Sequence, residues 1–155
     1  MAAPFLSASS SYITPARQIT EKDIGVFGAL TGTARGGEGE FRGIIAHALL
    51  VLSCGIELAM PEPSRVIALR SLRDVVFKRP IKPGDSIRVA LRVDSITPLP
   101  ERRELVSMTW KILNESNATV ARACADFVCS CAADQPCGRD PEEDLEALTV
   151  ALIPV

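Results

Sequence analysis

The sequence predicts an α+β domain in which an antiparallel sheet is wrapped around one long central helix. Two observations carry this. The stretch from Gly43 to Met60, GIIAHALLVLSCGIELAM, is apolar on nearly every side and holds only the imidazole of His47 and the carboxylate of Glu57 as strongly polar groups. Such a helix is buried on nearly every side, so other elements must wrap it. Those elements are strands: DSIRVALRVDSI, ELVSMTWKIL and ATVARACADFVCSC each alternate apolar and polar residues, the pattern of a sheet with one face in a core and one in water. Short turns join them, which favours antiparallel pairing. At 155 residues the chain has room for one such core.

Residues 1–18 begin Ser- and Ala-rich without periodicity, and are expected to form a flexible N-terminal segment. The folded domain is expected over 19–131. Thr20 and Asp23 have the spacing of a capping box, and Ile24, Phe27 and Leu30 then give a short helix one apolar face before Thr31 and Gly32 end it. TARGGEGEFR, residues 33–42, has three glycines and four charges and reads as a polar loop.

The apolar stretch that follows reaches the lower edge of membrane-spanning length. His47 and Glu57 would be costly in lipid, however, and the polar loop and Pro61 bracket it closely, so it reads as a core helix and no membrane association is expected.

RVIALRSLRDVVF, residues 65–77, is a β-branched strand, followed by a Pro and Gly turn. In the next strand Ile87, Val89, Leu91 and Val93 share one face, with Ser86, Arg88, Ala90 and Arg92 on the other. Val106, Met108, Trp110 and Ile112 repeat the alternation, NESN at 114–117 supplies a turn, and Ala121, Ala123, Ala125, Phe127 and Cys129 form the inner face of a last strand. A C-terminal extension, 132–155, is expected to hold a short helix, with Asp140 as its cap, Pro141 at the first helical position, and Glu142 and Glu143 in the first turn.

Composition narrows the function. Seventeen basic and nineteen acidic residues give a net charge of −2, and no run of cations sits beside aromatics, so nucleic acid is not an expected partner. The first residues lack the charged and apolar regions of a secretory signal, which makes the cytoplasm the expected compartment. The five cysteines are odd in number and mostly within apolar runs, as packed reduced thiols are. Cys129, Cys131 and Cys137 lack the paired spacing of a zinc site, and neither a metal nor another cofactor is expected.

A short helix, a buried helix and a run of long antiparallel strands resemble the hot-dog fold. Two regions are similar to the MaoC-like hydratases and dehydratases in particular. ITEKDIGVFGALTG resembles the segment leading into that family's catalytic loop. GIIAHALLVLS and VVFKRPIKPGDSIRVALRV resemble its central-helix start and its F-x-x-P-V-x-x-G-D strand entry. The resemblance spans Ile19 to Cys129, and Phe77 to Asp85 is its most specific part. Those residues also have a purely structural reading: Pro80 and Pro83 shape a turn that Gly84 lets into the next strand.

The resemblance implies an acyl thioester substrate, on coenzyme A or acyl carrier protein, with water added to a 2-enoyl chain or removed from a 3-hydroxyacyl chain. That chemistry needs an acid/base group at the α-carbon and β-oxygen and a donor for the enolate-like thioester oxygen. The family supplies an Asp and a His from a D-x-N-P-x-H loop, and a backbone N–H at the start of the central helix. In this chain Thr33 stands at the Asp position and Glu38 at the His position, in a shorter loop, and Thr33 cannot replace a carboxylate base. What remains is His47, in IAHA where the family reads I-A-H-G, with Ala48 at the glycine whose N–H is the oxyanion donor.

The candidate catalytic residues are therefore His47, Glu38 and Glu40, and the candidate substrate-binding residues Ala48, Ser53, Arg79 and Lys82. Each has a plainer alternative. His47 lies near the positive end of the helix, which favours a neutral imidazole able to act as base, or it is a structural hydrogen-bonding group. Glu38 and Glu40 either overhang the thioester or are solvated loop carboxylates, and Glu57 is close enough to its helix end to reach water. Ser53 either faces an acyl tunnel or bonds the carbonyl four residues back. Arg79 and Lys82 meet a coenzyme A phosphate or the acidic face of a carrier protein, or simply form a solvated edge.

The expected protein is a dehydratase or hydratase with a rebuilt site. It is expected to work as a homodimer or a hot-dog heterodimer, because the family's site lies between protomers and a lone curled sheet leaves an edge strand open. Two other functions are compatible with the same sequence: a non-catalytic subunit paired with an active homologue, and a thioesterase in which a glutamate activates water.

Overall fold

The computed structural model describes residues 7–32, 45–60 and 62–131. Glu38, Glu40, the rest of the 33–42 loop and the expected helix of the C-terminal extension lie outside those residues. The elements run β1 (Ser11–Ile13), β2 (Arg17–Gln18), α1 (Glu21–Thr31), α2 (Ala48–Ala59), β3 (Val66–Phe77), β4 (Ser86–Leu99), β5 (Arg103–Leu113) and β6 (Thr119–Ser130). The sheet is antiparallel throughout, in the order β1-β4-β5-β6-β3, with β2 also pairing β4.

The alternation in the sequence becomes the inner face of this sheet. Ile87, Val89, Leu91 and Val93 on β4, Val106, Met108, Trp110 and Ile112 on β5, and Ala121, Ala123, Ala125, Phe127 and Cys129 on β6 are all buried, and α2 lies against them. At Gly55 the helix comes very near: an added Cβ would sit 2.5 Å from Ile112 Cδ1 and 3.2 Å from the Trp110 ring. A residue without a side chain therefore sets the distance between helix and sheet.

Between β5 and β6, Asn114 Oδ1 accepts from the N–H groups of Ser116 (3.1 Å) and Ala118 (2.9 Å), closing the turn that NESN predicts.

Three expectations need correction. Structure does not begin at Ile19. Thr14 is buried, its N–H donates to the Val89 carbonyl and its hydroxyl accepts from the Val89 N–H, both at 2.9 Å, so the strands on either side of it are pinned to β4. These strands of three and two residues are too short to show a period.

Second, α2 is not buried all round. It buries Leu50, Val51, Leu52, Cys54, Gly55 and Ala59, but Leu49, Ser53 and Glu57, spaced one turn apart, form an exposed stripe. Third, Cys131 is disulfide-bonded, whereas Cys54, Cys124 and Cys129 are free thiols. Burial pushes the Cys129 thiol up to about 11, a chemically inert state at neutral pH. No helix among the described residues is long and apolar enough to cross a membrane.

The capping box of α1 forms as the sequence predicts: Asp23 N–H donates to Thr20 Oγ1 (3.1 Å) and Thr20 N–H to Asp23 Oδ2 (2.9 Å), and Gly32 ends the helix at φ 72°. Yet α1 fully buries none of its residues. Ile24 and Phe27 are half-buried against the core, while Leu30 of the expected apolar face is 81% exposed. β3 is an edge strand with three irregularities in its pairing to β6 and exposed Ile67, Leu69, Val76 and Phe77.

Candidate functional site at the start of the central helix

The segment entering α2 is held by the turn after β3. Ala46 N–H donates to the Ile81 carbonyl at 2.8 Å, and Ile81 itself is buried. That turn is anchored in its own right: the N–H groups of Lys78 and Arg79 both donate to the Val120 carbonyl (2.7 and 3.2 Å), and Arg79 Nη1 donates to the Thr119 carbonyl (2.6 Å). Between helix start and turn lies an open groove of about 300 Å³, walled by Ala46, Ala48, Val51, Phe77, Arg79 and Pro80. Two of the predicted binding residues, Ala48 and Arg79, thus share one groove.

Ala48 is the first residue of α2 and is exposed. A first helical N–H has no intrahelical acceptor and lies at the positive end of the helix dipole, where a developing negative charge is stabilised.

His47 is the residue before it and caps the helix. Leu49 N–H donates to His47 Nδ1 at 3.1 Å, while the His47 carbonyl accepts from Leu50 (2.9 Å) and Val51 (3.2 Å). Because Nδ1 is the acceptor, the neutral ring carries its proton on Nε2 and presents a donor there. The ring also packs on Phe27 of α1, with centroids 5.4 Å apart and planes tilted by 38°.

Other predicted residues lie elsewhere. Ser53 Oγ donates to the Leu49 carbonyl at 2.8 Å, on the exposed stripe of α2 and away from the groove. Lys82 is exposed in the turn beyond Ile81, where its N–H donates to Asp85 Oδ2 (2.9 Å) and Asp85 N–H to the Lys82 carbonyl (3.1 Å).

Sequence reading missed Phe27 as the ring partner of His47, and the Ile81, Thr119 and Val120 carbonyls that shape the groove. It also missed Arg17, whose Nη1 donates to Cys54 Sγ (2.8 Å) and whose Nη2 donates to Asp23 Oδ1 (3.3 Å). Hydrogen bonds from the Thr20 N–H and hydroxyl, aided by Arg17, hold the Asp23 carboxyl below its ordinary range. Burial pushes the Cys54 thiol up, with Arg17 opposing.

No protein-family model and no curated protein matches the chain by sequence. Solved structures match it in fold. A MaoC-like dehydratase from Rhodospirillum rubrum superposes with a TM-score of 0.64 at 18% identity, covering 82% of this chain and 94% of that one. An R-hydratase from Pseudomonas aeruginosa gives 0.63 at 24% identity, over 82% and 84% of the two chains. A Mycobacterium tuberculosis protein with a double hot-dog fold gives 0.73 at 18%, over 86% of this chain and 45% of that longer one. The chain therefore has the hot-dog fold. The structures that share it here include MaoC-like dehydratases and (R)-hydratases, as the motifs around Ile19, His47 and Phe77 led one to expect.

Proposed function

We propose that the chain is a MaoC-like dehydratase or hydratase acting on acyl thioesters, with its site at the groove beneath the start of α2. The observation that carries this reading is the position of Ala48: its N–H, at the positive end of a helix, borders a groove that Arg79 borders as well. A thioester carbonyl seated there would receive the Ala48 N–H as its charge develops, and the Nε2–H of His47, whose ring is not part of the groove wall, would meet substrate that extends beyond it. Glu38 or Glu40, on the loop entering this segment, would move the α-proton and serve the β-oxygen. Arg79 and Lys82 would meet the phosphates of coenzyme A or the acidic surface of a carrier protein. Ser53 has no part in this arrangement, since its hydroxyl is committed to Leu49.

Phe77, which walls the groove, ends the edge strand β3, whose outer side has no strand partner among the described residues, and is 42% exposed. A homodimer joined along β3 would cover that edge. The compartment we propose is the cytoplasm; a Cys131 disulfide that persists when cells are lysed into a thiol-blocking reagent would place the protein elsewhere.

The test is turnover of 2-enoyl and 3-hydroxyacyl thioesters by the purified protein. Hydration or dehydration that is lost in Glu38→Gln or Glu40→Gln supports the proposal, and free thiol release without hydration replaces it with a thioesterase. A second reading has its own support, because the described residues of the groove wall include the cations Lys78 and Arg79 and neither a carboxylate nor an imidazole. On that reading the chain is a binding subunit of a hot-dog heterodimer, inert alone and active only with a partner chain.

A further inference from the structure

Because α1 buries none of its residues, few contacts fix its position, and two links tie it to the central helix, one a direct ring contact and one through Arg17. At one end the Phe27 ring meets the His47 ring at 5.4 Å. One turn earlier on the same face of α1, Asp23 is bound by Arg17, whose other guanidinium nitrogen reaches Cys54, two turns into α2. Arg17 is itself held in the sheet, in register with Ile87 of β4. The four residues Asp23, Phe27, His47 and Cys54 thus form a closed frame between two helices, and Arg17 braces the side opposite the imidazole.

We infer that Arg17 is a positioning residue: by fixing α1 at Asp23 and α2 at Cys54, it holds Phe27 against His47 and keeps the imidazole in its helix-capping, Nε2–H form. Its planar fork suits this role, since one guanidinium serves two acceptors on different elements at once, and a lysine ammonium on a flexible stem does not reproduce that geometry. Asp23 adds to the rigidity, since it also closes the capping box of α1. The inference rests on the proposed function only for the catalytic weight of His47, not for the conformation of its ring.

His47 is the sole histidine of the chain, so its ring nitrogens give one pair of signals in a nitrogen-15 spectrum of the intact protein. The wild type should show the Nε2–H form. Arg17→Ala and Arg17→Lys should both shift it toward a mixture of tautomers and speed carbethoxylation of the ring. Cys54→Ala, which removes only the anchor on α2, should do the same to a smaller extent and keeps the measurement decisive if the arginine variants fold poorly. Cys54→Ser, which keeps an acceptor, should restore the wild-type spectrum. Folded Arg17→Ala or Cys54→Ala protein with an unchanged tautomer and unchanged carbethoxylation would overturn the brace, even if the enzyme hydrates thioesters. A shifted tautomer in a protein that turns over no thioester would leave the brace standing and remove the proposed reaction.

Discussion

Leu49 N–H donates to Nδ1 of His47 over 3.1 Å, so the one imidazole of the chain also starts its central helix. Capping and chemistry can be separated, because asparagine is among the best capping residues and has no imidazole. His47→Asn should keep thermal stability close to wild type and lose thioester turnover, whereas His47→Ala should lose turnover and about 1 kcal/mol of stability. Thermal melts read beside initial rates check this, and a fully active His47→Asn would reduce the histidine to a cap.

The close approach at Gly55 gives a prediction for the fold. Gly55→Val places branched carbon where Ile112 and Trp110, both fully buried, already sit. It should lower unfolding free energy by about 3 kcal/mol, measured by denaturant titration. A variant as stable as wild type would mean that the helix stands further from the sheet.

Asp126 ties the edge strand to the sheet, accepting from Ser71 and Arg73 of β3. Burial raises its carboxyl, but hydrogen bonds from Ser71, Ser107 and Arg73 outweigh that and leave it below the ordinary 3.8. A carboxyl lowered in the folded state contributes stability above its unfolded value, and that contribution is lost as pH falls through the folded one. Stability should therefore fall below about pH 4, and Asp126→Asn should flatten part of that fall while lowering stability at neutral pH. Denaturant midpoints across pH test the sign.

Ile67 and Leu69 on β3 are 54% and 40% exposed on an edge that no other described strand pairs. In a dimer joined along this strand, Ile67→Lys should shift the protein toward monomer, as read by light scattering after size exclusion. A wild type that is monomeric at micromolar concentration contradicts the proposed dimer.

The strands β4 to β6 were readable because a period of two sustained over seven to nine residues fits a half-buried strand and no helix, and the Thr20 and Asp23 box was readable because it is local. What was hidden depends on distant partners. Ala46 meets Ile81 and Arg17 meets Cys54 across 35 and 37 residues, and no pattern in either stretch announces the contact. For His47 the sequence left a base at the positive helix end and a structural hydrogen-bonding group both open, and only the Leu49 bond shows the ring capping the helix and assigns its nitrogens. The apolar run hid the true start of α2, since Ile45 and Ala46 are as apolar as the helix they precede.

The central claim is that the Ala48 N–H stabilises a thioester oxyanion, and one substitution removes that hydrogen with little else. Proline is tolerated at the first position of a helix, and His47 before it already has φ −56° and ψ 136°, the extended backbone that a following proline requires. Ala48→Pro should fold with wild-type circular dichroism and lose about 10²-fold in kcat for enoyl-thioester hydration. A folded Ala48→Pro enzyme that turns over as fast as wild type would contradict it.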